Sequence, residues 1–478
     1  MRGKGRKKTG KASGQQAVEA LFALGAQQLD AKDFHGAADC FRQVLRIAPD
    51  LAEAHCNLGV ALEKAARLEE AETSYLRALA LDPEGLQAHL NLGALLVNQK
   101  RFEAAGRVYE QAQARFPGSP ALWSNRGVLH ACRNLVPEAE RCFRTALVLD
   151  QGYIKARFNL SYLLLREGRF EEGWPALEAR PWSLELTART PAPRWQGESL
   201  VGKSLLIGTE GGFGDMLQFC RYAALLKDLG AARIGLVCHP ALVRLLSTLP
   251  GLDGVVAMGA AVPPGWDLWT LPLSLPHLCG TRLDSIPAPI PYLRATPDQI
   301  LAWRSRLPAP GLRVGLAWQG NPHMENDGDR SLPNLSLLAP LGSVAGVRFV
   351  SLQKGLGEAE AAQPPPGLDL LDPSALIEDF ADAAALVANL NLVISVDTAA
   401  AHLAGALGKP CWVLLPYHKT DWRWFQDRLD SPWYPGTMRL FRQPDAGGWG
   451  PVIAAVTLAL NQFVQAYPTT RVPEAPQG

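Results

Sequence analysis

Two hydrophobic patterns share this chain. In the first part the apolar positions recur as a block. Gly25, Gly59, Gly93 and Gly127 stand 34 residues apart, as do Ala37, Ala71, Ala105 and Ala139, and the aromatics Phe41, Tyr75, Tyr109 and Phe143. Pro49, Pro83 and Pro117 close three of these blocks at the same interval. Small residues and an aromatic in register at this period predict paired antiparallel helices, crossing where the side chains are small and broken by proline before the next pair. From Lys203 the pattern changes. Continuous apolar runs at 204–208 (SLLIG), 234–238 (IGLVC), Val255–Met258, 313–320 (RVGLAWQG), 347–355 (VRFVSLQKG), Leu392–Val396 and Cys411–Leu415 alternate with helical stretches such as Met216–Leu229. Strands apolar on both faces and separated by helices predict parallel sheets.

The 34-residue block matches the tetratricopeptide pattern. Residues 16–182 are therefore read as an α-solenoid of about four full repeats and a degenerate fifth, roughly Ile154–Pro181, that lacks the glycine and proline markers. Its ending, FEEGWPALEARPW, puts Trp174 and Trp182 where a repeat array meets a following domain. Residues 183–202 are expected to be a linker, 203–296 and 297–465 two Rossmann-like lobes joined by a Pro-rich hinge (IPAPIP, 286–291), and 1–15 and 466–478 disordered tails. The fold class is α + α/β.

Composition changes this picture little. With 47% hydrophobic and 19% charged residues, large cores are available, and a net charge of +1 argues against general nucleic-acid binding. The charge is uneven: residues 1–11 carry six Lys/Arg and no acid, leaving 41 basic against 46 acidic residues elsewhere. That leader is a solvated tail or a weak anchor for an anionic surface, so peripheral membrane association stays open. No apolar run approaches the ~18–20 residues that cross a bilayer, and no signal-type h-region follows the leader. Eight cysteines without C-x-x-C or partnered histidines read as reduced core thiols of a cytoplasmic protein.

The densest chemistry lies in LVISVDTAAAHLAGALGKPCWVLL (392–415). A buried strand ends at Asp397 and Thr398, and His402 follows a turn later on an Ala-rich helix, so polar side chains and free N–H groups converge where a phosphate would sit. The plain alternative is a helix cap. This segment resembles the nucleotide-sugar site of glycosyltransferases related to the bacterial ADP-heptose:lipopolysaccharide heptosyltransferases, over roughly Lys203–Leu460. The resemblance implies a two-lobed GT-B fold and an inverting, metal-independent transfer. The glycine turn Gly211-Gly212-Phe213-Gly214-Asp215 is similar to the family's L-G-D turn, whose aspartate is the proposed base; here that is Asp215, which also suits a helix cap. For the donor diphosphate the candidates are Gln319, Gly320, Asn321, Arg330 and Lys354 beside Asp397, Thr398 and His402. Arg330 stands where the heptose transferases carry a donor-contacting lysine. No cofactor and no metal are expected. Asp327-Gly328-Asp329 only superficially matches a metal-binding D-x-D, and its acids are expected to solvate the loop or hold Arg330.

In the array, Asn57, Asn91, Asn125 and Asn159 recur at one position. Such a ladder pairs with an extended peptide's backbone, which resembles the groove of eukaryotic O-linked N-acetylglucosamine transferases, or it serves packing between repeats. The Trp-rich segment 417–435, with Trp422, Arg423, Trp424, Arg428 and Trp433, either stacks on a ligand or packs the lobes together. The expected partners are a nucleotide sugar and a protein or peptide acceptor. A heptosyltransferase-like glycan acceptor and a non-catalytic scaffold are the alternatives.

Overall fold

The computed structural model describes residues 5–183, 192–287, 289–307, 311–324, 326–445 and 448–466, with side chains from residue 14 onward. The chain divides into two compact units, Met1–Leu160 and Ser161–Gly478. The leader expected to be disordered falls partly outside the described residues, although the first helix begins at Gly5. Residues 467–478 and part of the expected linker (184–191) also lie outside them.

The first unit is an α-solenoid of helix pairs: Phe34–Ile47 follows Gly5–Asp30, Leu68–Leu81 follows Ala52–Lys64, Phe102–Arg115 follows Leu86–Asn98, and Val136–Leu149 follows Pro120–Cys132. The glycine and aromatic columns have one cause. A Cβ on Gly93 would lie 2.1 Å from the Tyr109 ring, and on Gly59 and Gly127 2.5 Å from Tyr75 and Phe143. The first helix of each pair must yield that space to the aromatic of the second. A second 34-residue column is conformational: Lys32, Ala66, Lys100 and Asn134 take positive φ in the turn within each pair. Gly168 takes the same place between Ile154–Arg166 and Phe170–Leu177, so the degenerate fifth pair keeps the turn geometry.

The second unit holds two parallel sheets. The first joins β1 (Ser204–Ile207), β2 (Arg233–Cys238), β3 (Gly254–Ala257) and β4 (Leu268–Thr270) in the order β3-β2-β1-β4. The other joins β5 (Leu312–Ala317), β6 (Val347–Ser351), β7 (Leu370–Leu371), β8 (Leu392–Val396), β9 (Cys411–Leu415) and β10 (Met438–Arg442) in the order β10-β9-β8-β5-β6-β7. All pairings are parallel. Both sheets wind outward in both directions from their first strand, the doubly wound order, which leaves a crevice at the carboxyl ends of β1/β4 and of β5/β8. Every residue of β1, β8 and β9 is buried, as the continuous apolar runs require.

Residues 161–183, which include the second helix of the degenerate fifth pair, belong to the second unit. Trp174 Nε1 donates to Thr281 O at 2.9 Å, and its ring meets Trp422 edge-on at 5.2 Å. Seven of the eight cysteines are buried thiols and Cys279 is half-buried. Burial pushes the Cys56 and Cys220 thiols up to about 11 and about 12. Among the described residues, no helix is long and apolar enough to cross a membrane.

Candidate active site

The carboxyl end of β1 runs into the glycine turn. Gly211 takes φ +72°, and a Cβ there would lie 2.3 Å from Asp215 Oδ2. Glycine is needed for both reasons. Asp215 sits in the first turn of the helix Phe213–Phe219 and its Oδ2 accepts from Gly212 N at 2.7 Å. It caps that helix from within, while its Oδ1 accepts from Arg423 Nη2. The side chain remains 22% exposed.

Asp397 follows β8, and Thr398 opens the helix Ala399–Ala406. The Thr398 hydroxyl makes no cap; it meets Ser395 Oγ at 3.0 Å. His402 is buried, with Nδ1 2.8 Å from Tyr434 OH, Nε2 3.9 Å from Asp397 Oδ1, and its ring stacked on Trp424 at 5.3 Å. Burial first, then the charges of Arg423, Arg221 and Arg330, hold its imidazole well below the usual histidine range. It is therefore a neutral donor and acceptor at neutral pH. The turns from the two sheets meet at this ring: a Cβ on Gly214 would lie 2.7 Å from His402 Cδ2.

Burial, and then the negative charge of Asp421, raise the Asp397 carboxyl to about 6, against the opposing pull of Arg330, the Trp424 indole and Arg423. An unfolded chain releases this proton near pH 4. The contribution of Asp397 to stability is therefore fully present below about pH 4 and is lost as pH rises through about 6. Above that, the ionised group costs on the order of 2–3 kcal/mol. Asp397→Asn is expected to melt higher than the parent near pH 7.5, with the gap closing toward pH 4. A gap independent of pH in thermal melts would contradict that cost.

The remaining donor-side candidates divide. Arg330 is brought in: a Cβ on Gly320 would lie 2.7 Å from its Nη2, and its charge acts on Asp397 and His402. Asp327 holds it, accepting from Arg330 Nε at 3.1 Å and from Ser331 Oγ at 2.9 Å. The first acid of the D-x-D thus serves the loop. Gln319, Asn321 and Lys354 turn their side chains elsewhere. Gln319 Nε2 donates to the carbonyls of Leu332 and Pro333, at 3.2 and 3.0 Å. Asn321 Oδ1 accepts from His323 N in an exposed turn. Lys354 Nζ is tied to Glu358 Oε1 and Ser374 O. Among the described residues, no group of three or more His, Cys, Asp or Glu could hold a metal ion.

Arg423 was named in the sequence only as part of the Trp-rich segment, yet it joins the two sheets. It is 6% exposed and donates from Nη1 to both Asp421 oxygens at 2.9 and 3.0 Å, from Nε to Gln218 Oε1 at 2.5 Å, and from Nη2 to Asp215. Trp422, Trp424 and Trp433 are fully buried around it. They pack the two halves together instead of lining an open surface. A second buried pair secures the glycine turn from behind: Glu210 accepts from Arg180 and, at 2.7 Å, from Trp182 Nε1.

In the repeats, Asn57, Asn91, Asn125 and Asn159 are all half-buried. Two of the amides reach back to the preceding repeat: Asn91 Nδ2 to Cys56 Sγ at 3.6 Å, and Asn125 Nδ2 to Leu90 O at 3.5 Å.

The tetratricopeptide repeat family matches residues 22–85 and 56–120, and this region carries such repeats. The chain is similar to Protein FlbA of Caulobacter vibrioides, 31% identical over 340 residues, which are 64% of this chain and 55% of that protein. The chain thus spans about half the length of this curated relative. Among solved structures it is similar to Pseudomonas aeruginosa pilF (20% identity, 45% of this chain and 87% of that one, TM-score 0.35). It is also similar to a thermophilic TPR protein of Thermus thermophilus (24%, 36% and 96%, TM-score 0.32).

Proposed function

We propose that the second unit is a GT-B glycosyltransferase, metal-independent and inverting, acting in the cytoplasm on an acceptor held by the repeats, most simply a protein side chain. The observation that carries the reading is the meeting of two doubly wound sheets at their carboxyl ends. This brings Asp215 from one turn against Arg423, and Gly214 against His402 and the Asp397-Thr398 turn of the other. Ligands of such sheets bind in that crevice.

In the reaction, the Asp215 carboxylate takes the proton of the acceptor hydroxyl as its oxygen forms a bond to the anomeric carbon. The bond from that carbon to the β-phosphate oxygen breaks, and its electron pair leaves with the nucleoside diphosphate. The leaving charge is met by Arg330 and by N–H groups at the start of Ala399–Ala406. Neutral His402, held by Tyr434, is a hydrogen-bond partner for the donor sugar or its diphosphate.

One observation favours a second acceptor class. Asn91 and Asn125 already donate between repeats, which weakens a peptide-pairing ladder and leaves a glycan acceptor open. The deciding experiment supplies labelled nucleotide sugars to the purified chain with protein and with lipopolysaccharide-core acceptors in parallel. Label on protein supports the first reading and label on glycan the second. Donor consumption with neither means transfer to water and an acceptor outside the two supplied, whereas no consumption at all favours a repeat scaffold whose second unit only binds.

A further inference from the structure

Arg423 faces two carboxylates with one charge. Asp421 is its local partner: two residues away, it caps the same 3-10 turn by accepting from Arg423 N at 3.0 Å, and it chelates Nη1 with both oxygens. Asp215 is the distant partner, reaching across from the other sheet's glycine turn, and it keeps a second hydrogen bond from Gly212 N. The group carries one more negative charge than positive. It is also short of an acceptor: Gln218 is fully buried and takes Arg423 Nε on its oxygen, but its Nε2 has no hydrogen-bond partner. A buried donor in that condition is costly.

An anion with several acceptor oxygens supplies the acceptor that Gln218 Nε2 lacks and competes with Asp215 for Arg423 Nη2. A guanidinium grips phosphate bidentately and gains more from a diphosphate than from one carboxylate oxygen. We infer that Arg423 is a donor-binding residue whose exchange from Asp215 to the donor's diphosphate frees the base. This rests on the transferase reading above. With the diphosphate bound, Arg423 keeps Asp421, and Gln218 Nε2 gains an acceptor. Asp215 keeps Gly212 N and has an oxygen available for the acceptor's proton. The base is thereby engaged only when a donor is in place. Arg423 moves no proton itself.

Because Asp215 and the diphosphate compete for one guanidinium, removing the carboxylate's charge must tighten donor-side binding, by linkage. The test is calorimetric titration of the full chain with each of UDP, GDP, ADP and dTDP. For the nucleotide that binds, Asp215→Asn is expected to bind about tenfold more tightly. Asparagine keeps an acceptor for Gly212 N, so the turn is retained. Arg423→Lys is expected to bind at least about tenfold more weakly, a lysine lacking the bidentate fork. If Arg423→Lys does not fold, as a melting curve would reveal, Asp215→Asn decides alone. Unchanged or weaker binding by Asp215→Asn overturns the exchange while leaving the transferase reading standing. Absence of binding by the parent to all four nucleotides overturns both.

Discussion

Replacing Asp215 by Asn is expected to lower sugar transfer by about 10²–10⁴-fold, the usual contribution of one positioned base. The expected loss lies in kcat, because the amide fills the same volume and still accepts from Gly212 N, so the glycine turn stays in place. Arg423 retains Asp421, so no cation is left without a carboxylate. Stability should accordingly change by no more than about 1–2 kcal/mol, the range for losing one charge-assisted hydrogen bond. Steady-state turnover and a thermal melt on the same preparation check both halves. A large loss of turnover with an unchanged melt supports the base. Parental turnover would assign the carboxylate to capping alone.

The largest structural effect is expected at Trp433. Its side chain is fully buried and lies 6.0–6.2 Å, ring centroid to ring centroid, from Phe219 and Trp174, and 5.8 Å from Trp422. Its carbonyl accepts from Arg221 Nη1 at 2.6 Å, so the backbone is tied as well. These contacts join three separate stretches of the second unit: the helix before the linker, the helix after the glycine turn, and the C-terminal crossing segment. Trp433→Ala is expected to cost about 3–5 kcal/mol through lost burial and the cavity left behind. Denaturant unfolding followed by tryptophan fluorescence measures it. Leu429→Ala, in the same segment but 76% exposed, is the control and should stay within about 0.5 kcal/mol. Equal effects at the two positions would mean that the tryptophan cluster is not the keystone of this unit.

Much of this was readable in advance where one physical cause repeats or acts locally. The repeat columns were legible because Gly59, Gly93 and Gly127 each make room for the aromatic 16 residues on. The turn column was not, since Lys32, Ala66, Lys100 and Asn134 share a conformation but no residue type. Strands β1, β8 and β9 announced themselves by being apolar on both faces. β4 and β7 are three and two residues long, too short for a periodicity, and β10 is an edge strand with an exposed Arg439 at its second position.

The same division runs through the site. Asp397, Thr398 and His402 lie within six residues, so their grouping is local. Asp215 was marked by its glycines. Arg423 carried no local sign of its role, because its partner is 208 residues away. Gln319, Asn321 and Lys354 follow strand ends, as ligand residues do in such folds. Whether a side chain at a strand end faces a crevice or a neighbouring carbonyl depends on loop geometry that position alone does not determine. Glu210, immediately before the glycine turn, carries no local sign of its role for a related reason: its partner Arg180 lies on the far side of the linker.

The most direct test of the central claim is a thermal-shift screen of the purified chain against UDP-, GDP-, ADP- and dTDP-sugars, beside His402→Ala. One class of nucleotide sugar is expected to raise the melting temperature of the parent, and the rise is expected to be lost in a folded His402→Ala variant. Melting unmoved by every nucleotide sugar, under conditions where the parent is folded, would contradict that claim.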